Sequence, residues 1–243
     1  MQTAHQIATT DTPTTDQDDF VAGLLQGFRF RVCQTREDWE AAIEVRRAIY
    51  RESLGYEVPV PDEYDRRSWL FLAEDTATGK VVGTMRVTPR FAGRLESEEY
   101  FTLPRNLRDP MALEITRFAI LPEYRKGKTF LPVVSLGLFK LAKEFGTRIG
   151  GRHLVVCSKA ERMWTYEWMR FKTTGLKARY EKLNDAEHEL ISCDIQRTLS
   201  DMDDHPFGPF FKYAKYEEVE VPARIPSPGM PWDDELEPVA VGA

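Results

Sequence analysis

The 243-residue sequence has no apolar run of the roughly eighteen residues that a membrane-spanning helix needs, so no transmembrane segment is expected. Cysteine is scarce. Cys33, Cys157 and Cys193 are odd in number and far apart, which excludes a disulfide framework and any metal or redox spacing. They are expected to be buried hydrophobes in a reducing, cytoplasmic setting. The N-terminal stretch MQTAHQIATTDTPTTDQDD lacks the basic start and apolar core of a secretory leader, and residues 1–19 read as a disordered polar tail. No excess of positive charge is present: the net charge is −6, which sets nucleic acid aside as a partner. There is no internal repeat. His153, His188 and His205 have no partner by spacing and are assigned no role, and no metal site is expected.

Hydrophobic residues make up 42% and aromatics 12%, enough for one globular body, which we place at 20–221 with an extended Pro- and acid-rich tail over 222–243. Charge is unevenly spread. Residues 125–182 hold fourteen Lys/Arg against four Asp/Glu, a balance of +10, which leaves −16 for the remainder. Such a basic segment suits an anionic partner, either phosphates or an acidic protein.

Hydrophobic period sets out the elements. A short apolar helix is expected over 20–28 and a strand over 28–34. A helix follows over 36–54, capped by Thr35 with Asp38 and stopped by Gly55. Strands are expected at 68–75 and 81–89 as a hairpin, and at 112–121. A helix should run over 129–146, with Phe130, Val134, Leu138, Leu141 and Phe145 at helical spacing. Then come a strand at 152–158, a helix to Phe171 capped by Ser158 with Glu161, and strands at 175–183 and 187–196. Strands and helices alternate around a mixed sheet, so the class is α/β or α+β.

Several ionisable residues sit where the pattern demands apolar ones. Arg46 and Tyr50 lie on the inward stripe of the first helix, and a buried guanidinium needs a carboxylate or an anionic substrate. Asp62 and Asp65, in the loop after that helix, could receive an amine or orient an arginine. Arg86 stands midway along VVGTMRVTP. Glu114 and Arg117 interrupt the apolar strand ALEITRFAIL. Positions three apart face opposite sides of a regular strand, and only a bulge would bring both to one place. A buried Glu114 with a raised pKa could act as general base for an amine. The turn Arg125-Lys126-Gly127-Lys128 opens a helix and suits a phosphate.

The run Arg46-x-x-x-Tyr50, Leu54-Gly55-Tyr56, Asp62-x-x-Asp65, Arg86 and Glu114-x-x-Arg117-Phe118 resembles the acyl-homoserine-lactone synthases and the long-chain N-acyl amino acid synthases. These are N-acyltransferases of the GNAT superfamily, and the likeness covers roughly residues 30–125. It implies a GNAT fold, a splayed mixed β-sheet flanked by helices. It implies a fatty acyl group taken from a phosphopantetheine thioester, on acyl carrier protein or CoA, with no permanently bound cofactor, and passed to a small-molecule amine. Glu114, Arg117 and Arg86 would be catalytic. Arg46, Tyr50, Tyr56, Asp62, Asp65 and Phe118 would bind substrate, and Arg125, Lys126, Gly127 and Lys128 the pantetheine arm or its carrier. One departure matters. Homoserine-lactone synthases carry Phe and Trp where this sequence has Tyr50 and Tyr56, and their next loop is longer. Those parts serve S-adenosylmethionine, so an amino acid is the expected acceptor. The alternatives are a homoserine-lactone synthase, a GNAT enzyme that acetylates a small amine from acetyl-CoA, and a non-catalytic acyl-carrier-binding module.

Overall fold

The computed structural model describes residues 23, 25–125, 132–212 and 215–229. The tail at 1–19, the turn residues Lys126, Gly127 and Lys128, Phe130 and residues 230–243 lie outside them. Of the apolar helix expected over 20–28, Gly23 and Leu25 are described and helical.

Phe30 and Val32 alternate with Arg29 and Arg31, and the segment folds as strand β1 (Phe28–Val32), apolar side inward. Thr35 then caps helix α1 (Arg36–Arg47). Its hydroxyl accepts the Asp38 N–H at 3.2 Å, and Asp38 accepts the Thr35 N–H at 3.3 Å. The helix continues as a π-helical turn, Ala48–Ser53, and ends before Gly55, whose φ is 64°.

Strands β2 (Trp69–Asp75) and β3 (Lys80–Pro89) form the expected hairpin, and β4 (Ala112–Ile120) pairs antiparallel with β3. Helix α2 (Val133–Arg148) crosses over to β5 (His153–Lys159), which lies parallel to β4. After α3 (Met163–Trp168), β6 (Lys172–Tyr180) and β7 (Ala186–Asp194) extend the sheet. Short helices α4 (Ile195–Ser200) and α5 (Gly208–Lys212) precede β8 (Val219–Glu220). The eight-stranded order is β6-β7-β5-β4-β3-β2-β1-β8, a mixed open sheet of α/β class.

The period of two divides the sheet into two faces. Leu70 and Leu72 of β2 pack with Ala42 and Ile43 of α1. Phe71 and Trp69 turn the other way, onto Phe145 of α2, with ring centroids 5.1 and 4.8 Å apart.

Strand β4 is irregular in two places. Thr84 pairs with Ala119 but Arg86 with Thr116, so Arg117 and Phe118 together face Met85. This is a β-bulge, and Arg117 carries it at φ 51°. The ladder between β4 and β5 also stops at Ile115–Val156, although the strands run on to Ile120 and Lys159. The sheet therefore parts between their C-terminal halves.

Three expectations are corrected. Ser158 does not cap a helix with Glu161. It remains inside β5, its hydroxyl donates to the Lys159 carbonyl, and a 3₁₀ turn (Ala160–Arg162) comes before α3 without a side-chain cap. The first of the last two strands begins three residues earlier than 175. Helices α4 and α5 and strand β8 were not foreseen. β8 adds to the free edge of β1, where the Phe30 N–H meets the Glu218 carbonyl at 2.6 Å. Residues 222–229 run extended against the body: Arg148 donates to the Ala223 carbonyl and the Trp69 indole to that of Pro226.

Candidate active site

On the α1 face, three arginines from three elements meet three acids from two loops. Arg46 of α1 is fully buried and grips Asp65 with both terminal nitrogens, at 2.6 and 3.1 Å. Its second nitrogen also reaches Asp62 at 3.5 Å. Arg86 of β3, also fully buried, donates to Asp62, Glu96 and the Thr116 hydroxyl, the last at 2.9 Å. Arg117 donates from Nε to Asp62 at 2.9 Å and from Nη2 to Glu96 at 2.8 Å. The bulge makes this possible by turning Arg117 onto the face that Glu114 occupies.

The loop that presents Asp62 is itself locked. Asp62 caps a 3₁₀ turn (Glu63–Arg67), and Asp65 returns a bond to the Asp62 N–H at 2.8 Å. Burial pushes the Asp62 carboxyl up, but the guanidiniums of Arg86, Arg117 and Arg46 outweigh it and hold the carboxyl below its ordinary value.

Glu114 stands apart from this balance of three charges against three. It has no exposed surface, and no guanidinium among the described residues pairs with it. Its two oxygens accept the backbone N–H groups of Glu96 and Ser97, each at 2.8 Å. Burial, with the Glu96 charge beside it, raises its pKa to about 7, against the pull of those N–H donors. A carboxyl poised there exchanges a proton readily at neutral pH.

The parted strands carry the rest of the site. The Tyr50 hydroxyl donates to the Phe118 carbonyl at 3.2 Å, and the Tyr50 ring lies 6.0 Å from that of Tyr56. Across the gap, the Lys159 ammonium at the end of β5 donates to the Tyr56 hydroxyl at 2.8 Å. The Phe118 ring meets Phe139 of α2 at 5.4 Å. Arg125 is exposed, and its Nε donates to the Ile120 carbonyl.

Arg46, Tyr50, Tyr56, Asp62, Asp65, Arg86, Glu114, Arg117 and Phe118 thus come together, while Arg125 lies at the end of β4. Lys126, Gly127 and Lys128 fall outside the described residues. Sequence reasoning missed Glu96 and Lys159. Glu96 sits in an acid-rich loop, Glu96–Glu99, where spacing marks no one acid. Lys159 carried no signal beyond ending a strand. A surface hollow of about 580 Å³ beside Arg105, Asn106, Arg108 and Asp109 shares no residue with the cluster.

Known proteins resemble the chain in sequence and in fold. Residues 45–135 match the acetyltransferase (GNAT) domain family. Among solved structures, FeeM, an N-acyl amino acid synthase from uncultured soil microbes, superposes with a TM-score of 0.60. It is 15% identical, over 71% of this chain and 93% of its own. The chain has the GNAT fold. The CoA-dependent acyl-homoserine lactone synthase BjaI, solved with SAM and isopentyl-CoA, gives a TM-score of 0.58 at 22% identity, over 79% of this chain and 97% of its own. In sequence, the chain is 26% identical over 123 residues to an acyl-homoserine-lactone synthase of Rhizobium etli. That match spans 46% of the chain and 58% of the synthase's length.

Proposed function

We propose that the protein is an N-acyltransferase that moves a fatty acyl group from a phosphopantetheine thioester to the amine of an amino acid. The single observation that carries this reading is Glu114, a buried carboxyl without a cationic partner, beside the place where β4 and β5 part.

An amine reaches the site as ammonium and must lose a proton before it can attack. Glu114, directly or through a water, takes that proton. Its carboxylate is fixed by two N–H donors, and each oxygen keeps a lone pair. Arg86 and Arg117 act on the acids around it. Their donors are already taken by Asp62, Asp65 and Glu96, so they hold the loops that carry the Glu96 and Ser97 N–H groups. The amine attacks the thioester carbonyl to form a tetrahedral adduct; its collapse re-forms the carbonyl, breaks the C–S bond and releases the carrier thiol, which takes up the second proton from the nitrogen. Beyond Ile115 the β4 backbone facing β5 has no partner on that strand, and its N–H groups are suited to polarise the carbonyl. Holding both substrates in the gap supplies much of the remaining rate.

The acceptor's carboxylate finds its counter-charge in Lys159, across the gap from Phe118. The acyl donor is carried by acyl carrier protein or CoA. The test is mass spectrometry of lipid extracts from bacteria expressing the protein, followed by assays with an amino acid panel and with S-adenosylmethionine. A new N-acyl amino acid supports the reading. Turnover only with S-adenosylmethionine would favour the homoserine-lactone synthase, which the Rhizobium etli match supports. Tight acyl-carrier binding without turnover on any acceptor would leave a binding module.

A further inference from the structure

Five cationic side chains are buried among the described residues: Arg46, Arg86, Arg117, Lys140 and Lys143. The first four have carboxylate partners, Lys140 through Glu144 at 3.0 Å. Lys143 has none. Its side chain is 7% exposed, and its ammonium lies 5.2 Å from the centre of the Phe211 ring. An unpaired buried ammonium is costly to keep. Burial lowers its pKa to about 8.

Lys143 lines a cavity. Its walls include Phe139, Leu154, Met169, Phe171, Cys193 and Met202, with Lys143 the one charged residue among them. The free volume is about 20 Å³, room for one water. Two of the walls are methionines, whose unbranched side chains re-pack readily.

A chain of ring contacts runs from the candidate site to the cavity. Phe118, on the bulge, meets Phe139 at 5.4 Å; Phe139 meets Tyr166 at 5.9 Å; Tyr166 meets Phe171 at 5.5 Å. Lys143 comes one helical turn after Phe139, about 6 Å further along α2. An acyl chain that enters at the parted strands and tracks this wall would end at the ammonium.

We infer that Lys143 reads the far end of the acyl group, and that the slot takes chains ending in a hydrogen-bond-accepting oxygen, a hydroxyl or a carboxylate. This rests on the acyl-donor reading above and narrows it. A methyl-ended chain would offer the ammonium no acceptor at that end, whereas an oxygen-ended one would.

The test uses non-hydrolysable thioether analogues of acyl-CoA, equal in length and ending in methyl or hydroxyl. Binding to the full chain is measured by calorimetry, so no turnover is needed. The wild type should bind the hydroxyl-ended analogue about tenfold or more tightly, the scale of a hydrogen bond to a charged group. Lys143→Met should lose or reverse that preference, and Lys143→Gln should keep part of it. Thermal unfolding of both variants shows that they fold. Equal binding of the two analogues by the wild type would overturn the inference, as would a preference that survives Lys143→Met. If neither analogue bound, the acyl-donor reading itself would fail and take the inference with it.

Discussion

Glu114 and Asp62 are both buried acids in one cluster, and their surroundings push them in opposite directions. Asp62 touches three guanidiniums; Glu114 touches none. Removing Asp62 would leave three buried guanidiniums sharing two acids, Asp65 and Glu96, so Asp62→Ala should destabilise the fold by about 3 kcal/mol or more in chemical denaturation. Glu114→Gln should instead act on rate. With saturating donor, kcat should fall by about 10²–10⁴ if Glu114 is the base. An unchanged rate would remove it from the mechanism. The wild-type kcat/KM should rise with pH and level off above about 7, as the carboxyl ionises. Stability should run the other way. A pKa raised from 4.5 to about 7 favours the protonated form in the fold, so that contribution is complete below 4.5 and lost as pH rises through 7. The melting temperature of Glu114→Gln relative to wild type should therefore climb between pH 5 and pH 8. Arg46 and Glu114 were legible in the sequence because each breaks an apolar pattern. Glu96 was not, since its pairing with Arg86 and Arg117 depends on how an aperiodic loop folds back.

At the scale of elements, the strands and long helices were legible from period alone, because each buries one face. Their departures from regularity were less so. The bulge at Arg117 was inferred from two charges that could not otherwise meet, an argument from chemistry and not from local pattern. β8 is two residues long and has no period to read. The Ser158–Glu161 capping pattern was misleading because pairing with β7 keeps Ser158 in the strand. Close packing also leaves a sequence trace that only the structure explains. Gly137 sits mid-helix in α2, where a Cβ would come within 2.1–2.4 Å of the Phe30 ring. Glycine costs helix stability there, yet it lets α2 lie flat on β1. Gly137→Ala should lower stability by about 1–3 kcal/mol through overpacking, despite alanine's better helix propensity. A melting temperature at or above wild type would show that α2 can lift away freely.

Over the whole molecule, the basic segment of the sequence is largely spent on internal pairs. Lys172, Lys177, Arg179 and Lys182 each meet an acid, in Asp201, Glu187, Asp185 and Glu99. Arg125 and Arg162 are exposed and make no ion pair among the described residues. They come just after β4 and β5, the two parallel strands that part, so two arginines, with Glu161 next to one of them, flank the mouth of the gap. The composition showed that charge was uneven, but not that pairing would leave these two arginines over at this place. A rim of this kind steers an acidic partner and is screened by salt over about 8 Å at physiological ionic strength. If the donor is an acyl carrier protein, its KM should rise steeply with salt while kcat holds. Arg125→Glu with Arg162→Glu should raise that KM at low salt and flatten the salt dependence. Lys126→Glu with Lys128→Glu should do the same if the turn after β4 shares in docking. A KM indifferent to salt and to all four reversals would mean that the carrier does not dock at the mouth of the parted strands.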